Sequence, residues 1–208
     1  MNTRLFVSGT GTGIGKTLVS AILVEALKAD YWKPVQAGYE QGTDSEQVYR
    51  LISNRKSVIH PERYKLKLAA SPHIAAREEN TDIDLNEIFT HLPPSEHLIV
   101  EGAGGLLVPL GKNMFVIDLI KKLNAEVVLV SRNELGSINH SLMSAAVCKY
   151  HDITVRGWIF NGNYLNYEEE IVNWTGIPRI MSIPDSAVVD AAFVLQQAAR
   201  FNSTVSHE

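Results

Sequence analysis

The feature that most constrains the fold of this chain is a glycine-rich loop at residues 9–17, between a short apolar run and a helical pattern. The loop reads Gly-Thr-Gly-Thr-Gly-Ile-Gly-Lys-Thr. A dinucleotide-binding G-x-G-x-x-G pattern fails, because Ile14 or Lys16 stands where its last glycine would be. The ending Gly15-Lys16-Thr17 fits a phosphate-binding loop that is lengthened by one residue.

The residue types of this loop suit the binding of a nucleoside triphosphate. Glycines allow backbone N–H groups to turn toward phosphate oxygens, and the start of the following helix adds free donors and a favourable dipole. Lys16 is expected to reach the β- and γ-phosphates, and the Thr17 hydroxyl to bind Mg²⁺. The alternative is a glycine-rich turn with a surface lysine, which does not account for the coincidence of strand, loop and helix.

Apolar runs alternate with helical patterns along the rest of the chain. This alternation predicts an α/β fold of the P-loop NTPase type, with a mostly parallel sheet and helices on both faces. The length of 208 residues fits one domain, 1–208, with 203–208 as a frayed tail. The predicted strands are 5–7, 31–35, 97–100, 127–130, 157–160 and 180–183. The predicted helices are 16–29, 44–52, 85–91, 115–123, 137–150, 168–175 and 187–200.

Composition argues against several other classes of protein. The net charge of −4 includes no basic block, so nucleic acid is not an expected partner. The single cysteine, Cys148, excludes an internal disulfide and a cysteine-rich zinc site. The sequence shows no signal peptide and no transmembrane span, which predicts a cytoplasmic protein without a membrane partner.

Three charged residues are the next candidates for the site. Glu101 follows the apolar run 97–100, at the edge of a parallel sheet where ligands gather, although a turn-capping glutamate is the alternative. Lys33 lies within the run 31–35, where a charge is unusual unless it points into a site; by itself an edge-strand lysine is the better interpretation. Asp44 is either a metal carboxylate or a helix N-cap, and by itself the cap is favoured.

Two further segments carry polar groups at strand or helix ends. Asn161 follows the run 157–160 and has the donor and acceptor that a nucleotide base requires, with a turn asparagine as the alternative. Residues 136–140 begin a helix, which is a second anion site or only a well-capped helix. His73 has no metal-like partner nearby in sequence and is expected to be structural.

These segments together resemble dethiobiotin synthetase, over most of the chain and in the order of that family. The most specific are Glu101-Gly102-Ala103-Gly104-Gly105 and Leu135-Gly136-Ser137-Ile138-Asn139-His140. The other matching segments are residues 9–17, Lys33-Pro34-Val35, Asp44, Ser71-Pro72-His73-Ile74, Gly157-Trp158 with Asn161, and Ile183-Pro184.

The resemblance implies an ATP- and Mg²⁺-dependent ligase that closes a ureido ring on 7,8-diaminononanoate with CO2, in biotin biosynthesis. It implies a homodimer in which the segment around Asn139 helps to bind the substrate of the partner subunit. It assigns Lys33 and Lys16 to catalysis and Thr17, Asp44 and Glu101 to Mg²⁺. The nucleotide residues that it implies are Gly13, Ile14, Gly15, Lys16, Thr17, Asp44, Glu101, Gly102, Ala103, Gly104, Asn161, Gly162, Pro184, Asp185 and Ser186. The substrate residues that it implies are Thr12, Ala37, Ser137, Ile138 and Asn139.

Two positions depart from the common pattern of the family. Gly13 stands where many members carry glutamate, so no side-chain role is carried over there. Ala37 stands where many carry a serine that contacts the substrate, so that contact is absent or has moved, for example to Gln36 or to the backbone.

Two other functions remain to be tested. A partition- or division-type ATPase would share the fold and act as a nucleotide-switched interaction protein, but the loop lacks an early lysine and the chain lacks a basic amphipathic tail. A cobyrinate-type amide ligase would need a glutaminase domain or a glutaminase partner, and the chain has no room for such a domain.

Overall fold

The molecule is built around a seven-stranded parallel sheet, seen in a computed structural model that describes residues 3–205. The strand order is β11-β10-β9-β1-β6-β2-β4. The strands are β1 Thr3–Gly9, β2 Asp30–Trp32, β3 Val35–Ala37, β4 Ile59–His60, β5 Tyr64–Leu66, β6 His97–Gly105, β7 Pro109–Gly111, β8 Met114–Phe115, β9 Glu126–Arg132, β10 Val155–Asn161 and β11 Arg179–Ile183. The helices are α1 Lys16–Leu27, α2 Asp44–Leu51, α3 Pro72–Glu78, α4 Leu85–Thr90, α5 Val116–Leu123, α6 Ser137–Tyr150, α7 Glu168–Thr175 and α8 Ala191–Val205.

The two faces of the sheet carry separate apolar clusters. Successive residues of a strand point to opposite faces, so Phe6 of β1 joins one cluster while its neighbours Leu5 and Val7 join the other. Helices α1, α2 and α8 cover the second face, and α3 to α7 contribute to the first. The predicted fold, a parallel sheet with helices on both faces, is confirmed.

Strand β1 occupies the centre of the sheet and positions the glycine loop. It pairs in parallel with β6 on one side and β9 on the other, and α1 begins directly after the loop. Gly15 is the N-cap of α1 with φ 94°, a left-handed conformation that glycine adopts without strain. A Cβ on Gly15 would lie 2.5 Å from Nδ2 of Asn161, so this position also has no space for a side chain.

The segment 31–35, which we predicted as one strand, is divided in the structure. Strand β2 ends at Trp32, and β3 begins at Val35 and pairs with β5 in a separate two-stranded sheet. Pro34 has no N–H to donate to a sheet, which favours an interruption at this point. Lys33 is therefore placed just beyond the end of β2 and not within a strand.

Other differences concern short elements and boundaries. Strands β4, β5, β7 and β8 and helix α3 were not predicted, because each is too short to show a sequence period. The last helix begins at Ala191, four residues later than predicted, and continues through Val205. It therefore includes the first three residues of the predicted tail, while 206–208 lie outside the described residues.

Candidate active site

The glycine loop and the ends of β2 and β6 surround one cavity of about 660 Å³. The loop and α1 contribute one wall, and the segment 69–72 contributes another. Eleven predicted residues line this cavity, and eight of them are Thr12, Gly13, Gly15, Lys16, Thr17, Asp44, Ala103 and Gly104. The other three are Lys33, Ala37 and Glu101, so predicted residues that are far apart in sequence meet here.

Lys16 lies across the loop that precedes it. Its Nζ donates a hydrogen bond to the carbonyl oxygen of Gly11 at 2.8 Å, and the residue is only 7% exposed. Burial disfavours the charged form and lowers the pKa of Lys16 to about 8, with the Glu101 carboxylate opposing this effect. A triphosphate beside this ammonium would favour its protonated form.

Glu101 is the buried centre of the hydrogen-bond network. It is 1% exposed, and its two oxygens accept hydrogen bonds from Thr17 Oγ1 at 3.1 Å, Ser20 Oγ at 2.9 Å, Tyr31 Oη at 3.0 Å and Lys33 Nζ at 3.0 Å. Burial and the Glu101 charge raise the pKa of Tyr31 well above its usual value, so this hydroxyl remains a donor. The turn-capping alternative for Glu101 is wrong, because the residue lies within β6.

Lys33 joins the two acidic residues of the site. Its Nζ contacts Asp44 Oδ2 as well as Glu101, and the residue is 5% exposed. Burial acts against the charge, but the carboxylates of Glu101 and Asp44 outweigh it and raise the pKa of Lys33 above its ordinary value. The edge-strand interpretation of Lys33 is therefore wrong.

Asp44 is positioned by the start of α2. Thr43 is the N-cap and accepts a hydrogen bond from the backbone N–H of Glu46, whose side chain accepts one from Thr43 N. Asp44 is the first residue within the helix, so its interpretation as the N-cap is wrong. The capping box leaves the Asp44 carboxylate available to Lys33.

A second group of predicted residues lies where β10 and β11 end. Asn161 donates from Nδ2 to the carbonyl oxygen of Ile14 at 2.7 Å, which ties β10 to the glycine loop. Its Oδ1 is buried and has no hydrogen-bond partner among residues 3–205. Gly162 and Pro184 line a cavity of about 440 Å³, and the neighbouring Asp185 and Ser186 are exposed.

A buried carboxylate that we did not predict supports this second group. Glu168 accepts a hydrogen bond from Asn133 Nδ2 at 2.7 Å and also bonds Ser182 and Arg179. Asn133 in turn donates from its backbone N–H to Asn161 O at 2.7 Å and from Nδ2 to Gly162 O at 3.1 Å. No sequence signal indicated this network, since a glutamate in the first turn of a helix is usually exposed.

The three predicted substrate residues at the start of α6 lie apart from both cavities. Ser137 is 3% exposed and its hydroxyl is hydrogen-bonded to the hydroxyl of Tyr167 at 2.6 Å. Ile138 is half-buried, and Asn139 is exposed with Nδ2 3.5 Å from Met143 Sδ. A contact between this segment and the substrate of a partner subunit stays a prediction.

Comparisons with known proteins place the chain in a family. A family model described as an AAA domain matches residues 3–192. An ATP-dependent dethiobiotin synthetase BioD of Cytophaga hutchinsonii is 50% identical over 169 residues, which cover 81% of this chain and 82% of that protein. One from Rhodopseudomonas palustris strain TIE-1 is 44% identical over 200 residues, covering 93% of both.

The chain belongs to the dethiobiotin synthetase family. Solved structures with related folds include MinD of Aquifex aeolicus, with a TM-score of 0.57 and 15% identity over 99% of this chain and 96% of that one. A ParA family ATPase from Chlorobium tepidum has a TM-score of 0.55 and 14% identity over 100% and 93%. At such identities these likenesses show the P-loop NTPase fold alone, so this member of the dethiobiotin synthetase family shares its architecture with these two proteins.

The described helices also bear on the predicted absence of a membrane segment. None of the helices within residues 3–205 combines the length and apolar character that a membrane crossing needs.

Proposed function

We propose that this chain converts 7,8-diaminononanoate, CO2 and ATP into dethiobiotin, ADP and phosphate. Its family supplies the class of reaction, an ATP-dependent ligation in biotin biosynthesis. The observation that carries the proposal is the position of Lys33, which is buried between Asp44 and Glu101 beside the phosphate-binding loop. A fixed ammonium there faces the place where the triphosphate and a second substrate would meet.

The nucleotide binds with its phosphates on the loop and its base at the ends of β10 and β11. The backbone of Gly13, Ile14 and Gly15 and the start of α1 face the phosphates, with Lys16 as their counter-charge. Gly102, Ala103 and Gly104 complete the phosphate side. The unpartnered Oδ1 of Asn161 supports a role in base binding, because an exocyclic amino group would satisfy it. Gly162, Pro184, Asp185 and Ser186 lie around that position.

Mg²⁺ would be held by the hydroxyl of Thr17 and the carboxylates of Asp44 and Glu101. The donor set fits this ion, since all three groups offer oxygen, and both carboxylates already surround a positive charge, the ammonium of Lys33. When bound, Mg²⁺ supplies neutralisation of charge on the β- and γ-phosphates.

The reaction has three steps, and residues of the protein act on the charges that develop in them. One amine of the substrate takes up CO2 as a carbamate, a carbamate oxygen attacks the γ-phosphorus and ADP leaves. The second amine then attacks the carbonyl of the carbamic–phosphoric anhydride, and phosphate leaves. Lys33 and Lys16 stabilise negative charge on the carbamate and on the transferring phosphoryl group, an effect that is large in a buried site.

The predicted substrate residues fall into two groups, and one group requires a dimer. Thr12 and Ala37 line the main cavity, whereas Ser137, Ile138 and Asn139 act on the carboxylate of a substrate held by the partner subunit. Large apolar side chains exposed on and before α6 support a homodimer: Leu135 is 88% exposed, Met143 58% and Tyr150 84%. We place this enzyme in the cytoplasm, with small molecules and a second copy of itself as its partners.

The deciding experiment follows carbon from bicarbonate into product. The protein is incubated with ATP, Mg²⁺ and ¹³C-bicarbonate, with and without the diamine, and dethiobiotin and phosphate are both measured. We expect dethiobiotin that carries one ¹³C atom, one phosphate for each molecule formed, and no turnover with EDTA. Equal phosphate release with and without diamine, and no labelled product, would instead indicate a switch-type ATPase.

A further inference from the structure

Besides two carboxylates, the main cavity offers an amine the hydroxyls of Thr12, Thr17 and Ser71 and the amides of Gln36 and Gln47 as possible hydrogen-bond acceptors. Lys16 and Lys33 are donors. Asp44 and Glu101 already surround the ammonium of Lys33. Ala37 offers only a methyl group.

Gln36 is the side chain that we first considered for the substrate contact that Ala37 cannot make. Its amide is hydrogen-bonded within the protein. Its Nε2 donates to the carbonyl oxygen of Gly38 at 2.8 Å, and its Oε1 accepts from the backbone N–H of Asp44 at 3.2 Å. Both ends of the amide are therefore occupied, and the residue is 6% exposed. Gln36 therefore fixes the start of α2 and is not oriented toward an amine in the cavity.

Ser71 is the polar side chain of the segment 69–72, which lines the same cavity. It occupies the N-cap position before α3, yet its hydroxyl makes no capping hydrogen bond. The hydroxyl lies 3.0 Å from Nδ1 of His73 instead. A serine in this position normally caps its helix, so the orientation toward His73 costs α3 a favourable contact.

The pairing with His73 gives the Ser71 hydroxyl a defined direction. When the hydroxyl donates its hydrogen to Nδ1, its lone pairs stay available to an N–H donor in the cavity. Ser71 and Ala37 line the same cavity, because β3 pairs with β5 and the chain runs from Leu66 of β5 to Ser71. A hydroxyl at either position would therefore face the same substrate.

We propose that Ser71 binds an amino group of the diamine substrate and that His73 is the positioning residue that holds its hydroxyl. This inference rests on the proposed function and assigns His73 a role, where its sequence indicated a structural residue. It makes the wall formed by 69–72 a determinant of specificity for a diamine. No bond is made or broken by either residue.

The experiment compares Ser71→Ala with the double variant Ser71→Ala/Ala37→Ser. We expect Ser71→Ala to raise KM for the diamine roughly fivefold to tenfold, as the loss of one hydrogen bond implies, with KM for ATP unchanged. The added serine at position 37 should recover most of that loss. A folded Ser71→Ala protein whose diamine KM stays within about twofold of the parent's would overturn the proposal.

Variants of His73 separate positioning from a purely structural role. His73→Asn places an amide near the position of Nδ1 and should keep the parental diamine KM, whereas His73→Leu should match Ser71→Ala. Because both act through one hydroxyl, the double variant Ser71→Ala/His73→Leu should show no further loss. Additive losses, or an equal rise of both Michaelis constants, would refute the positioning role.

Measurements on the parent protein test the proposed function itself, the synthesis of dethiobiotin. A parent that makes dethiobiotin while Ser71→Ala retains its diamine KM refutes only the role of Ser71. A parent that neither binds the diamine in calorimetry nor makes dethiobiotin refutes the proposed function and this inference with it.

Discussion

Replacing Lys33 by methionine removes the positive charge between two carboxylates while keeping much of the side-chain volume. Lys33 Nζ and Glu101 Oε1 are 3.0 Å apart. At an effective dielectric constant of about 20, that separation corresponds to an attraction of about 5.5 kcal/mol, part of which is offset by the desolvation of both ions. Removing one partner of a buried pair typically costs about 3–5 kcal/mol.

The lower end of that range applies to this site. Glu101 keeps its three hydrogen bonds from Thr17, Ser20 and Tyr31, and Asp44 is partly exposed to water. We therefore expect Lys33→Met to lower the free energy of unfolding by about 3 kcal/mol near neutral pH. Millimolar Mg²⁺ should restore part of this loss, because the two uncompensated carboxylates become a better site for a divalent cation.

The assay is urea unfolding with and without Mg²⁺, together with steady-state kinetics. The matched control is Lys112→Met, which removes an exposed lysine from the turn between β7 and β8. In the same variants, kcat should fall roughly a hundredfold or more for Lys33→Met while the affinity for ATP changes little. A Lys33→Met protein that is as stable and as active as the control, with no additional stabilisation by Mg²⁺, would refute the reasoning.

Four further predictions concern other charges of the molecule. Lys16→Ala should lower turnover at least about a hundredfold. The pKa of Lys16 is about 8 in this structure, so ATP binding near pH 9 should take up on the order of half a proton in the parent and none in Lys16→Ala. Calorimetry in two buffers of different ionisation enthalpy measures this uptake. Equal proton uptake by the parent and the variant would contradict the assignment. After subunit exchange, equal amounts of Lys16→Ala and Asn139→Asp proteins should regain roughly a quarter of parental activity, since half the dimers are mixed and each has one intact site; confirmed exchange without activity would place both groups in the same subunit. Glu25 is buried, but hydrogen bonds from Lys28 and from Asn54 outweigh the burial and lower its pKa to about 2. Since the folded-state pKa is the lower one, Glu25→Gln should cost about 3 kcal/mol at pH 7, a difference that shrinks as the pH falls from about 4.5 toward 2; urea unfolding that shows a constant difference down to pH 3 would disagree.

The sequence by itself determined the phosphate-binding loop and the class of the fold. Both are local properties of the chain. Glycine spacing before Lys16 and Thr17 is visible within ten residues, and the apolar runs and helical periods each extend over a single element. Helices α6 and α7 were predicted with the bounds that the structure has, because their periodic patterns are long enough to read.

The tertiary structure decided which charges meet. Each of the three charged residues had a plausible local interpretation. Lys33 could be an edge-strand lysine, Asp44 a helix cap and Glu101 a turn residue. The parallel register of β2 with β6, and the capping box before α2, bring the three together across as many as 68 residues of sequence. No local period encodes such a long-range contact.

The same reason explains the residues that the sequence did not reveal. Ser20 and Tyr31 become partners of Glu101 only because α1 and β2 both pack beside β6. Ser71 becomes part of the cavity wall only because β5 pairs with β3. The phosphate-binding loop is thus encoded within one short segment of sequence. The acceptors and carboxylates around that loop come together only when strands that are distant in sequence pair.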